Sequence, residues 1–130
     1  MGTGTMYTGL ATASANDQLV IGIPVLKGVA NELNTLIKRQ VQVDKQKFCK
    51  IVDGYHFGGY AKKTPALLHF MNDFYTKTGI PSDFVYTGKL FYAFNDMVEN
   101  NFFEKGSKVL VIHSGGLQGN SSLPVQTLIF

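Results

Sequence analysis

Tyr86, Thr87 and Lys89 stand together in Phe84-Val85-Tyr86-Thr87-Gly88-Lys89-Leu90, where an extended entry passes into the first turn of a predicted helix. Backbone N–H groups in a first turn have no partner within the helix, and the helix dipole is positive there, so this place can hold an anion or a polar ring. Gly2-Thr3-Gly4-Thr5 is a glycine turn opening another helix, the arrangement that cradles phosphate groups on outward N–H groups. His113-Ser114-Gly115-Gly116 puts a hydroxyl at the carboxyl end of an apolar run, where ligands of open α/β sheets bind. Asp53 to Lys62 carries three glycines and three aromatics, a loop that displays Tyr60 as a pocket residue would be displayed.

Each of these residues also has a purely structural reading. Tyr60 and Tyr86 suit half-buried packing with a satisfied hydroxyl. Thr87 is a helix cap in either account. Ser114 before two glycines suits an ordinary loop, and His113 reads as a hydrogen-bonded structural imidazole. His56 and His69 are too scattered for a metal site. Cys49 reads as structural, with Lys47 and Lys50 nearby leaving a reactive thiolate open. Lys89 opposes the helix dipole and is expected to reach a carboxylate or carbonyl.

The elements that must position these residues follow from periodicity. Met6, Leu10 and Ala13 share one helical face after the first turn, with Gly9 and Ala11 allowing close approach. Gln18 to Val25 is an apolar β-branched run without alternation, the pattern of a strand covered on both faces, and Pro24 marks its end. Val29, Leu33, Leu36 and Ile37 predict a helix from about Gly28 to Arg39, followed by a helix tail and loop over 40–50 and a weak strand at Phe48 to Val52. Thr64-Pro65 is a cap with proline at the first helical position, Leu67, Leu68, Met71, Phe74 and Tyr75 mark a face, and Gly79 closes that helix. Leu90, Phe91, Phe94, Met97 and Val98 repeat the spacing after Thr87, and Lys108 to His113 reads as a second buried strand. Strands alternating with helices make the fold class α/β: a mainly parallel sheet flanked by helices in three layers, with 1–130 as a single domain.

With 45% hydrophobic and 16% charged residues the 130-residue chain is globular, and no apolar run reaches the length of a membrane span. Net charge +3 is spread over loops and helix ends, which argues against nucleic-acid binding. A lone Cys49 allows no internal disulfide, and the first residues lack a secretory pattern, so the cytoplasm is expected.

Taken in order, Gly2-Thr3-Gly4-Thr5, Gly58-Gly59-Tyr60, Asp83-Phe84-Val85-Tyr86-Thr87-Gly88-Lys89 and His113-Ser114-Gly115-Gly116 resemble the C-terminal portion of the 1-aminocyclopropane-1-carboxylate deaminase and D-cysteine desulfhydrase family, pyridoxal-phosphate enzymes of the tryptophan-synthase β-like fold type. The resemblance implies that Gly2, Thr3, Gly4 and Thr5 hold the cofactor phosphate, that Tyr60 and Tyr86 line the substrate side of the ring, and that Ser114 faces the pyridine nitrogen with Thr87 beside it. Met6 sits where relatives often have threonine. Deaminases of the family have glutamate at the position of Thr87, and a neutral hydroxyl there implies β-elimination from a cysteine-like small amino acid rather than opening of a cyclopropane ring. Family members hold the cofactor on a lysine of an N-terminal segment, and Lys89 is not that lysine. The chain is therefore expected to lack turnover by itself, to require that missing segment, and to form a homo-oligomer. An alternative of another class is a non-catalytic α/β module that binds a phosphorylated ligand or a partner protein.

Overall fold

Capping and turn chemistry set some of the helix ends. The computed structural model describes residues 1–15 and 17–130, which divide into two units, residues 1–60 and 61–130.

In the first unit, α1 (Thr5–Ala13) follows Gly4, whose backbone is left-handed at φ 88°. A Cβ at Gly4 would lie 2.8 Å from Leu36 Cδ2 and 3.0 Å from Leu33 Cδ2, so close packing on α2 (Ala30–Gln40) also demands glycine here. Strand β1 (Val20–Gly22) pairs in parallel with β2 (Cys49–Ile51), in the register Val20↔Cys49, Ile21↔Lys50 and Gly22↔Ile51. A parallel pair needs a long crossover, and α2 with the four-residue α3 (Val43–Gln46) supplies it. Tyr7, Ala11, Ile37 and Val41 form a buried cluster against which Met1, Val20, Cys49 and Ile51 pack. The Tyr7 hydroxyl donates to Val20 O at 2.9 Å, and burial, with Cys49 alongside, raises its pKa. Cys49 thus belongs to the packing, as its structural reading implied. Val25 N donates to Met1 O at 3.0 Å, so Met1 lies beside the end of the β1 segment.

In the second unit, α4 (Pro65–Thr78) begins and ends as its sequence implies. The Thr64 hydroxyl accepts from Leu67 N at 3.2 Å, and Gly79 donates its N–H to Tyr75 O at 2.8 Å. Leu67 and Met71 are fully buried. Helix α5 (Thr87–Glu99) packs on α4 through Phe74 and Phe91, stacked with centroids 4.5 Å apart, and through Phe70 and Tyr92, edge-on at 5.1 Å. The tail returns to α4, where Asn72 donates to Thr127 O and accepts from Ile129 N.

Several expectations change. On α1 the buried residues are Tyr7, Thr8 and Ala11, while Met6, expected on the packed face with Leu10 and Ala13, is 51% exposed. Lys108 to His113 forms no strand, and Leu110 is 85% exposed. An apolar β-branched run becomes a strand only when another strand pairs with it, and the second unit contains none among the described residues. The expected three-layer sheet is accordingly a single parallel pair, compatible with an α/β segment. The α5 face is also rotated: Val98 is 51% exposed, while Ala93 and Lys89 are buried with Phe91 and Met97.

Candidate functional site

Gly2, Thr3, Gly4, Thr5 and Tyr60 are residues of the first unit, and Tyr86, Thr87 and Ser114 of the second.

At the start of α1 no side chain caps the helix and no acidic residue stands in its first turn. The first intrahelical bond runs from Thr8 N to Gly4 O at 2.9 Å, leaving the preceding N–H groups facing outward at the positive end of a nine-residue helix. Thr3 and Thr5 are exposed, with their hydroxyl oxygens 3.3 Å apart. An open cleft of about 350 Å3 continues along the helix, lined by Thr5, Thr8, Gly9, Thr12, Ala13 and Gln40. Every polar group at the turn is neutral or a donor, which fits a phosphate group. Tyr60, 54% exposed, follows a loop in which His56 accepts from the N–H of Gly58 through Nδ1 and of Gly59 through its carbonyl.

The start of α5 is different because the chain fills it with its own anion. Asp83, 1% exposed, accepts from Val85 N at 2.9 Å and Tyr86 N at 2.7 Å through Oδ1, and from Thr87 N at 3.0 Å and the Thr87 hydroxyl at 2.6 Å through Oδ2. The cap expected of Thr87 is therefore supplied by Asp83, and Thr87 is the first residue of the helix. Its hydroxyl accepts in turn from Asp83 N at 2.8 Å. Lys89, completely buried, has its ammonium pKa lowered to about 8 by desolvation, with the Asp83 charge opposing the shift.

Ser114 is brought to this helix start by neighbours that periodicity does not reveal. His113 Nδ1 accepts from Gly115 N at 3.0 Å, which leaves Nε2 to donate to Pro81 O at 2.8 Å. Asn120, in the 3-10 helix Leu117–Ser122, donates to Ser82 O at 3.0 Å and accepts from Phe84 N at 3.2 Å. Gly116, at φ 103°, lies so close that a Cβ there would be 3.2 Å from Asp83 Oδ2. The loop of Ser114 thus rests on the segment that opens α5. His113 is structural, as read; Ser114 lies in an exposed loop rather than at a strand end.

The residues that sequence reasoning passed over are Asp83 and Asn120. Asp83 carried a signal, since aspartate shortly before a helix is a preferred capping type, whereas Asn120 lay in a segment without periodicity. Among the described residues no group of three His, Cys, Asp or Glu could hold a metal ion, and no helix is long and apolar enough to cross a membrane.

Comparison with known proteins extends these observations. The chain is 30% identical over 132 residues to a Pyrococcus abyssi protein provisionally named 1-aminocyclopropane-1-carboxylate deaminase, a match covering 92% of this chain and 38% of that relative. A Pyrococcus horikoshii protein of the same name is 42% identical over 65 residues, half of this chain and 19% of the relative. The mitochondrial bifunctional D-cysteine desulfhydrase/1-aminocyclopropane-1-carboxylate deaminase of Arabidopsis thaliana is 39% identical over 62 residues, 47% of this chain and 16% of its own length. The chain thus spans less than two fifths of these relatives. No family model and no solved structure matches it.

Proposed function

Because the chain is a partial-length relative of the 1-aminocyclopropane-1-carboxylate deaminase and D-cysteine desulfhydrase family, we propose that it is a cofactor-binding part of a pyridoxal-phosphate-dependent lyase or deaminase acting on a small amino acid. The observation that carries this reading is the uncapped first turn of α1, without an acidic residue, in a chain similar over 92% of its length to the Pyrococcus abyssi relative. The backbone N–H groups of the turn and the Thr3 and Thr5 hydroxyls bind the cofactor phosphate, at a helix end whose dipole favours the anion. When bound, pyridoxal phosphate supplies the electron sink for negative charge at the substrate Cα. Ser114 Oγ donates to the ring nitrogen, beside Thr87. Tyr60 and Tyr86, both exposed, orient the substrate carboxylate or carry a proton at the phenol oxygen. Thr87 is neutral where family deaminases have glutamate, which favours D-cysteine desulfhydrase-like β-elimination over opening of the aminocyclopropane ring. The reaction itself is assigned to the longer protein, whose other segment supplies the cofactor-bearing lysine and whose copies associate as a homo-oligomer.

The reading is tested by pyridoxal phosphate titration of the chain, followed by absorbance, and by assays of the chain joined to an N-terminal segment of a relative. Cofactor binding, with sulfide, pyruvate and ammonia from D-cysteine, is the expected result. Absence of both binding and products overturns it; ammonia from 1-aminocyclopropane-1-carboxylate without sulfide from D-cysteine overturns the choice of branch.

A further inference from the structure

Asp53-Gly54 is the one place in the sequence where an aspartate or asparagine precedes glycine; the other five aspartates all precede larger residues. The pair lies just after β2, and both residues are exposed. Gly54 N donates to Asp53 Oδ1 at 2.8 Å, which holds this backbone nitrogen against the side-chain carboxyl of the residue before it. Among the described residues neither Asp53 nor Gly54 makes another hydrogen bond or ion pair. Beyond the adjacent residues nothing lies within 4 Å of where a Cβ of Gly54 would stand, and its φ of 106° is open to it because it has no side chain. Asp83 is the opposite case, a buried carboxyl held by three backbone N–H groups and the Thr87 hydroxyl.

We propose that Asp53 is a self-modification site, at which the Gly54 nitrogen closes on the Asp53 carboxyl to a cyclic imide that reopens as an isoaspartyl linkage. A nucleophile held beside its electrophile in one chain reacts without the entropy cost of bringing the two together. With the carboxyl in its acid form, the bond from Gly54 N to Asp53 Cγ forms, the Cγ–OH bond breaks, and the hydroxyl leaves with the amide proton as water. Water then adds back. Attack at Cγ restores aspartate, whereas attack at the Asp53 main-chain carbonyl carbon breaks its bond to Gly54 N and leaves the chain running through Cγ. Water is the only other reactant, and no cofactor takes part. The product lengthens the backbone by one carbon between the Val52 N–H bond to Gly22 O, at 3.0 Å, and the loop that carries Tyr60. The strand pairing is kept on one side of the change while the loop on the other side is re-aimed.

The test is prolonged incubation of the intact chain at physiological temperature and pH, followed by peptide mapping with electron-transfer fragmentation, which separates isoaspartate from aspartate. Isoaspartate at position 53 should exceed that at every other aspartate by at least about tenfold, with a transient loss of one water from the same peptide. Asp53→Glu, whose carboxyl would have to close a larger ring, should remove the signal and leave the circular dichroism unchanged. An unaltered Asp53, or isoaspartate spread evenly over the aspartates, overturns the proposal. The same chain unfolded in guanidinium chloride separates the fold from the sequence: the folded chain should isomerise at position 53 at least as fast, and a slower rate in the folded chain would mean that the turn shields the pair, which also overturns it.

Discussion

Asp83 and Thr87 hold each other twice: the Thr87 hydroxyl lies 2.6 Å from Asp83 Oδ2 and accepts at 2.8 Å from the Asp83 N–H. With the N–H groups of Val85, Tyr86 and Thr87 also on the carboxylate, the first turn of α5 is closed by an internal anion. The positive helix end that a ligand would otherwise occupy is neutralised by the chain itself.

Asp83→Ala should therefore destabilise the second unit by about 2–3 kcal/mol, because it strands buried N–H groups that made charge-assisted bonds. Urea unfolding monitored by circular dichroism gives the loss, and hydrogen exchange should accelerate first at Val85 to Thr87. A loss below about 0.5 kcal/mol would show that water replaces the carboxylate without penalty.

Lys89 makes stability depend on pH. Its folded pKa of about 8 lies below the ordinary 10.5, so between these values the unfolded chain binds more protons than the folded one. Stability should rise as pH increases from about 8 towards 10.5, by at most on the order of 3 kcal/mol. Tyr7 acts in the opposite sense at higher pH: its raised pKa keeps the folded phenol protonated while the unfolded one ionises, so stability falls again above about pH 10. Unfolding midpoints measured from pH 7 to 10 check the rise, and Lys89→Met should flatten it.

Two glycines of the first unit should respond in opposite directions. Gly4→Ala must accept φ 88° and a Cβ 2.8 Å from Leu36, and should cost about 1–3 kcal/mol. Gly9 lies inside α1, and a Cβ added there would meet nothing within 4 Å, so Gly9→Ala should gain about 0.5–1 kcal/mol. Thermal unfolding of the two variants compares them directly.

Asn120→Ala removes both the acceptor of Phe84 N and the donor to Ser82 O. It should cost about 1–2 kcal/mol and loosen the Ser114 loop selectively. Proteolysis within 113–119 should accelerate while the α4 amides keep their protection; uniform loss of protection would mean that Asn120 supports the whole unit.

Local chemistry made part of this protein legible from its sequence. Thr64, Pro65 and Gly79 delimit α4 because a cap, a pre-set φ and a left-handed residue act within a few positions of the chain. The β-branched run around Val20 and the weak strand at Cys49 were legible too, since a crossover helix between them brings them into a parallel pair. The family likeness was carried by short glycine and tyrosine motifs, and comparison with the archaeal and plant relatives supports it. Tertiary structure decided what one-dimensional patterns do not contain. Lys108 to His113 has the composition of a strand but no partner strand in its unit, and backbone pairing is a property of two segments. The start of α5 has the form of an anion site, yet Asp83 fills it with the chain's own carboxylate and turns the Thr87 hydroxyl onto itself, while His113 and Asn120 tie the loop carrying Ser114 to the segment before the helix. A hydroxyl's direction is set by the acceptor that reaches it, and the placement of that acceptor exists only in the folded chain.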